Sequence, residues 1–299
     1  MNLSIITINY NNAEGLRKTL ASVASQTFRE FEHIIVDGGS TDGSVEIIKE
    51  YEETIHRTPC TRHLLWLSEK DNGIYDAMNK GVEIASGIRV VNALNRSELV
   101  EDKNKGVRKA TGEYVYFLNS GDALASNEVL EDIMHDLNGS DFVVGRVFFS
   151  LNEKRVSTSP LLTEKDMSLY YMYLHGINHQ SAFIKRKLLI QTPYDTSVKM
   201  GADWKFFVQS IVLDNASVQF IDKTIADFDL SGVSSDSKAI KQERAKILST
   251  FIPERVARDY LAIAPHYYEV VRVGWLLEHP FWYKLYRGLT TFGRKNCNL

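Results

Sequence analysis

The chain is poor in several things that would point elsewhere. Only two of its 299 residues are cysteines, Cys60 and Cys297. Two cysteines build no disulfide framework, so a reducing compartment is expected. Nowhere is there an uncharged apolar run of about 18 residues, the length that a membrane-crossing helix needs. The opening MNLSIITINYNN is too short for that and lacks the basic segment of a secretory leader. A cytoplasmic protein is expected, or one peripheral at the inner face of a membrane. The net charge is only −3, which offers no basic surface for nucleic acid. The first apolar run is followed by NYNNAEG rather than a Gly-x-Gly-x-x-Gly turn, which excludes a nicotinamide-dependent oxidoreductase.

What is present suits a soluble folded chain: 44% hydrophobic and 24% charged residues. Leu3–Ile8 is an apolar, β-branched run ending in the polar cluster Asn9–Asn12. Leu16, Leu20 and Val23 then recur at helical spacing. His33–Val36 reads as a second strand, stopped by Asp37-Gly38-Gly39-Ser40, with Thr41 or Ser40 as cap of a helix from Gly43 and Asp42 also assigned to capping. Leu64–Leu67 and Tyr114–Leu118 read as further strands, with a helix across Ser68–Ala85 between them. This alternation predicts an α/β fold with a mainly parallel central sheet flanked by helices. Ligands bind beyond the carboxyl ends of such strands. The polar clusters Asn9–Asn12, Asp37–Asp42, Glu69–Asp76 and Asn119–Asp122 all fall there.

Taken in order, SIITINYNN, HIIVDGGSTDGS, SEKDNGIYDAMNKG, GEYVYFLNSGD and GADWKFF resemble the family 2 glycosyltransferases of the GT-A fold. The resemblance spans about residues 1–235 and implies sugar transfer, with inversion, from a nucleotide diphosphate donor, usually uridine-linked, to an acceptor hydroxyl. It also implies a divalent cation, Mn²⁺ or Mg²⁺, and a saccharide or lipid-linked acceptor, as in surface polysaccharide or glycolipid assembly. Such chemistry needs a base for the hydroxyl proton and charge stabilisation for the departing diphosphate.

On this resemblance Thr7, Asn9 and Tyr10 form the nucleoside platform, Tyr10 packing against the base. Asp37 faces the donor, although Gly38 replaces the second aspartate of the usual pair. Glu69, Asp71, Asp76 and Lys80 complete the donor side, Asp76 and Lys80 sharing a helix face. The plain structural alternative for that last pair is a solvated ion pair. The family's Asp-x-Asp is missing at FLNSGD: Asn119 and Gly121 stand at the two carboxylate positions, and Asp122 survives one place later. Asp122 with Asn119 is the expected metal pair, or else the two merely shape a turn. Asp203 is the expected base, a role compatible with capping its helix. His179, in HGINHQSAF, is placed on the acceptor side.

NKGVEIASG at 79–87 recurs as NKGVRKATG at 104–112, 25 positions on (104 − 79 = 25). The first copy follows GIYDAM and the second precedes EYVYFLNSGD. Each therefore keeps one half of a unit that is continuous in the family, which reads as a tandem duplication inserting about 88–112. The core sheet is expected to survive with the first copy at the site, Ile88–Leu94 as an extra strand or loop, and Ser97 capping a helix over 98–110. Domains are expected at 1–236 and, as a helical C-terminal extension, 237–299. The stretch 266–299, dense in Trp, Tyr, Phe, Lys and Arg, suits peripheral membrane contact or a helix pair packed on the main domain. A degenerate, non-catalytic nucleotide-sugar binder remains the alternative to an active enzyme.

Overall fold

The computed structural model describes residues 3–57, 63–91, 97–99, 112–151, 154–230 and 237–295. The chain divides into two compact units, Met1–Arg244 and Ala245–Leu299. Both cysteines lie outside the described residues.

The first unit opens with β1 (Leu3–Asn9), α1 (Ala13–Ala24), β2 (Phe31–Asp37), α2 (Ser44–Arg57), β3 (His63–Ser68) and α3 (Ile74–Ala85). β1 and β2 are buried along their whole length, as the continuous apolar runs require of strands covered on both faces. Next come β4 (Arg89–Val91), β5 (Ser97–Leu99), β6 (Tyr114–Phe117), β7 (Ala123–Leu124), α4 (Val129–Asp136), β8 (Phe142–Leu151) and β9 (Lys154–Thr158). The unit continues with α5 (Leu169–Leu174), β10 (Ala182–Lys185), α6 (Arg186–Gln191), α7 (Ala202–Phe207) and β11 (Val218–Asp229).

Among the described residues the main sheet runs β3-β2-β1-β6-β10-β8-β11-β7, with β9 paired to β8. The half β3-β2-β1-β6 is parallel. β10 is antiparallel to both its neighbours, while β8 and β11 are parallel. The sheet is thus mixed: the alternation of strand and helix that predicts parallel pairing holds only through β6. Side chains such as Leu3, Ile5, Tyr116, Val143 and Phe183 fill one core, and Tyr116 stacks on Phe183 at 4.5 Å between ring centroids. Each such buried side chain contributes about 1.5–3 kcal/mol.

The cap before α2 is Asp42, whose carboxylate accepts the Ser44 N–H at 3.1 Å. Ser40 turns instead to Asp37, with its hydroxyl 2.6 Å from Oδ1. In α3 the first repeat copy lies directly on the sheet. A Cβ at Gly81 would stand 2.5 Å from Ile6 Cγ2, so only glycine allows this approach. Asn79 clasps the backbone of Tyr194, donating to its carbonyl at 2.8 Å and accepting its N–H at 3.0 Å. Ser97 opens β5, antiparallel to β4, rather than capping a helix; positions 92–96 and 100–111, with most of the second copy, lie outside the described residues.

The second unit is helical among its described residues. α8 (Ser237–Phe251) leads into it, followed by α9 (Glu254–Ile263), α10 (Tyr267–Glu278) and α11 (Pro280–Lys295). Pro265 falls in a 3₁₀ turn between α9 and α10. No described helix is long and apolar enough to cross a membrane.

Candidate active site

The carboxyl ends of β1, β2, β3 and β6 form one rim, and the polar clusters expected there are found there. At its centre Asp37 is wholly buried. Its Oδ1 accepts from Asn9 Nδ2 at 2.8 Å and the Ser40 hydroxyl, and its Oδ2 accepts from the Ser68 hydroxyl at 2.6 Å and the Ser40 N–H at 2.9 Å. So many donors fix the turn after β2 as a rigid floor. Thr7 is also fully enclosed, its hydroxyl 3.0 Å from His33 Nε2. Asn9 Oδ1 is buried with no partner among the described residues. Tyr10 stands out from this floor, 65% exposed, with its ring open to a ligand.

The loop after β3 carries the acidic groups. A Cβ on Gly38 would sit 2.5 Å from Asp71 Oδ2 and 3.1 Å from Tyr10 Cδ2. Asp71 therefore fills the place that a side chain at position 38 would take. Burial raises its carboxyl above the ordinary range, against the Gly73 N–H that it accepts and the charge of Lys80. Lys80, nearly buried, is held 3.0 Å from Glu69 and 3.6 Å from Asp76, and donates to the Lys70 carbonyl at 3.1 Å. Arg89 of β4 lies 3.7 Å from Glu69 and 2.6 Å from Glu83. This is an enclosed network, not the solvated i, i+4 pair of the plain alternative. Asp76 also accepts the Asn72 N–H at 2.9 Å.

A chain of side chains crosses the rim to the far half of the sheet. Asp203, in the first turn of α7, accepts from the Tyr75 hydroxyl at 2.9 Å and from its neighbour's N–H, that of Trp204, at 2.9 Å, both on Oδ1. Its Oδ2 lies 3.1 Å from His179 Nδ1. His179 Nε2 is in turn 3.1 Å from Asn119 Nδ2. A carboxylate only accepts, so Nδ1 donates to it, and in the neutral ring Nε2 accepts from the asparagine amide. Burial alone would raise the Asp203 carboxyl, but the hydrogen bond and charge of His179, then the Tyr75 hydroxyl and the Trp204 N–H, hold it below the ordinary value. The Trp204 indole donates to the Met172 carbonyl, fixing the start of α7.

The turn 119–122 is held by α1: the Thr19 hydroxyl donates to the Asp122 carbonyl at 2.6 Å and accepts the Gly121 N–H at 3.0 Å. Gly121 has φ +108°, a conformation that suits glycine and not the aspartate the family usually carries there. Asp122 faces inward, accepting Gln180 Nε2 at 2.8 Å on Oδ2 and the Asp229 N–H at 3.1 Å on Oδ1. Burial raises its carboxyl, offset in part by Gln180 and that N–H. Asn119 Oδ1, by contrast, is buried with no partner among the described residues. Two of the roughly four acceptor positions of Asp122 are in use. The amide oxygen of Asn119 and the carboxylate of Asp122, on one turn, are hard-oxygen groups of the kind that Mg²⁺ or Mn²⁺ takes. The described residues hold no cluster of three His, Cys, Asp or Glu.

The sequence model of glycosyl transferase family 2 matches residues 4–92, the stretch that carries the rim from β1 to α3. An uncharacterized glycosyltransferase of Mycobacterium tuberculosis is 27% identical over 239 residues, covering 78% of this chain and 77% of the relative. Both comparisons point to glycosyl transferase family 2. A PGL/p-HBAD biosynthesis glycosyltransferase of Mycobacterium bovis is also similar, 26% identical over 80% of this chain and 81% of that one. Among solved structures, TarS of S. aureus has the same fold, with a TM-score of 0.56 at 20% identity over 88% of this chain. This chain spans 43% of the length of TarS. The mannosyltransferase PcManGT of Pyrobaculum calidifontis, solved with GDP-Man and Mn²⁺, aligns with a TM-score of 0.52 at 18% identity, over 83% of this chain and 61% of that one. These are GT-A type glycosyltransferase structures, and the α/β fold here is of that type.

Of the residues singled out in the sequence, the structure brings Tyr10, Glu69, Asp71, Asp76 and Lys80 to one side of the rim and Asn119, His179 and Asp203 into one bonded chain. Thr7 and Asp37 lie beneath the rim. Three participants were not foreseen: Tyr75, Gln180 and Gly201. Tyr75 sits in the same NGIYDAMNKG stretch, but a tyrosine after an isoleucine reads as core, and only the fold reveals its partner.

Proposed function

We propose that this glycosyltransferase transfers a sugar from a UDP-sugar to an acceptor hydroxyl with inversion, on the route to a glycolipid or surface polysaccharide. The observation that supports the reading is the bonded chain Tyr75–Asp203–His179–Asn119, on the same rim as the acidic loop after β3. The names of the relatives support the reading: one acts in PGL/p-HBAD biosynthesis, and a TarS structure holds UDP-GlcNAc.

Tyr10 and Asp71 take the nucleoside, with Asn9 and Asp37 supporting the floor beneath. Glu69, Asp76 and Lys80 form the wall toward the ribose and diphosphate. Asn119 and Asp122 would hold a divalent cation, which when bound supplies positive charge to the departing diphosphate. Asp203 takes the proton of the acceptor hydroxyl as its oxygen attacks the sugar carbon, and the diphosphate leaves with the bonding electron pair. His179 lines the acceptor side. A panel of UDP-sugars with UDP release as readout tests this, together with Asp203→Asn, which should bind UDP and not turn over. No release with any donor and acceptor would leave the non-catalytic binder, which the inward-facing Asp122 favours.

The second unit adds a membrane-facing proposal. Val270, Val273, Trp275 and Leu277 on α10 and Phe281, Trp282 and Leu285 on α11 are all exposed, with Lys284 and Arg287 exposed in the same stretch. Exposed aromatic and aliphatic side chains beside basic ones suit an anionic lipid surface, where a lipid-linked acceptor would reside.

A further inference from the structure

Tyr75 lies in the first turn of α3, one residue before Asp76, yet its side chain leaves the donor loop. The phenol oxygen accepts the Gly201 N–H at 2.8 Å and donates to Asp203 Oδ1 at 2.9 Å. An N–H only donates, so the single phenolic proton is committed to the carboxylate. Gly201 makes this possible: at φ +89° it turns its N–H toward α3, a conformation strained for any residue with a Cβ. The ring is braced against Tyr194, 5.7 Å between centroids. Burial, and next the charge of Asp203, push the phenol well above its ordinary range, so it stays a donor.

We infer that Tyr75 is a positioning residue for Asp203: by bonding Oδ1 it leaves Oδ2 as the oxygen that does the chemistry. Among the described residues Oδ1 is tied twice, by Tyr75 and the Trp204 N–H, whereas Oδ2 holds the His179 bond alone. Oδ2 is therefore the oxygen with a lone pair to spare. The acceptor's proton moves to it, forming O–H, as the acceptor oxygen bonds to the sugar carbon and the diphosphate departs with its electrons. The other groups facing Asp203 are His179, the buried phenol of Tyr194 and Arg244, whose guanidinium stacks on Trp204 at 5.5 Å from the ring centroid. Among these described groups Tyr75, unlike His179, Tyr194 and Arg244, lies on the helix that carries Asp76 and Lys80. Tyr75 thus links the wall of the donor site to the base.

The inference rests on Asp203 being the base, and the test separates the two. In the full chain, Tyr75→Phe should lower kcat about tenfold, leave the donor KM unchanged, and move the acidic limb of kcat/KM up by about one pH unit, as expected when a carboxylate loses one donor. Replacing Tyr75 by 3-fluorotyrosine, a stronger donor of the same shape, should move that limb down. An unmoved limb in both variants overturns the inference, as does a fall in kcat matched by a fall in folded fraction. If Asp203→Asn turns over at the wild-type rate, the base assignment itself fails. If Asp203→Asn is inactive while both Tyr75 limbs stay put, only the role of Tyr75 fails.

Discussion

The hydroxyl of Tyr75 and the carboxylate of Asp203 meet at 2.9 Å across 128 positions of sequence. This contact joins the family-matched half of the rim to the half built from β6, β10 and α7. Because the proposed base is fixed by side chains from both halves, its removal can be separated from loss of donor binding. Asp203→Asn keeps the size and most hydrogen bonds but not the proton acceptor. We expect turnover to fall by a factor of about 10² to 10⁴ with UDP affinity unchanged in calorimetric titration.

Lys80 is predicted to matter for both stability and donor binding. It is nearly enclosed between Glu69 and Asp76, and Lys80→Met leaves those two carboxylates facing each other. Removing one partner from a largely buried network should cost about 3 kcal/mol in urea denaturation, and the KM for the donor should rise. A loss below about 0.5 kcal/mol, as for exposed pairs, would show the network to be open to water.

Gly38 tests whether Asp71 has replaced the missing second aspartate. Gly38→Ala pushes a methyl group onto Asp71 Oδ2, the end of a side chain that can swing away. Thermal stability should hardly change, while UDP affinity should drop about tenfold, the worth of one hydrogen bond to a charged group. Unaltered affinity would place the nucleoside elsewhere.

His33 sets a pH dependence of stability. It is sealed in the sheet between Thr7 and Tyr51, and burial lowers it from 6.5 to about 3. Between these values the unfolded chain binds a proton that the folded chain refuses. Stability should therefore fall as pH drops through this window, by up to about 1.4 kcal/mol per unit. Urea melts from pH 7 to pH 5 should show His33→Gln losing less than the wild type.

The membrane proposal is checked by sedimentation with anionic and neutral vesicles. Changing Phe281 and Trp282 to serine should weaken binding at least about tenfold, given about 1.5–3 kcal/mol per buried apolar side chain, and added salt should weaken the wild type. Equal recovery with and without vesicles would remove lipid as the occupant.

How much of this was legible beforehand follows from the range of each cause. The strands β1 and β2 could be read because their runs are apolar throughout and end in polar clusters. The rim followed from the topology, and Asp203 from its place in a motif. The antiparallel β10 and the mixed sheet could not be read, since pairing direction depends on long-range neighbours and not on local pattern. Ser97 misled because serine before a charged stretch reads as a helix cap, whereas pairing with Val91 draws it into a strand. Tyr75 and Gln180 were invisible for the same reason as β10: their partners lie far along the chain.

β6 is held by β1 on one side and β10 on the other. The sheet thus sets β6, whatever the length of the connection before it. Lengthening a tether is cheap, about 0.6 kcal/mol for each doubling. A copied segment of 25 residues (104 − 79 = 25) could therefore enter this chain at modest cost, bringing Arg89 against Glu69 at the rim. Tolerance of this kind lets an enzyme acquire new sequence beside its active site while the chemistry stays under selection.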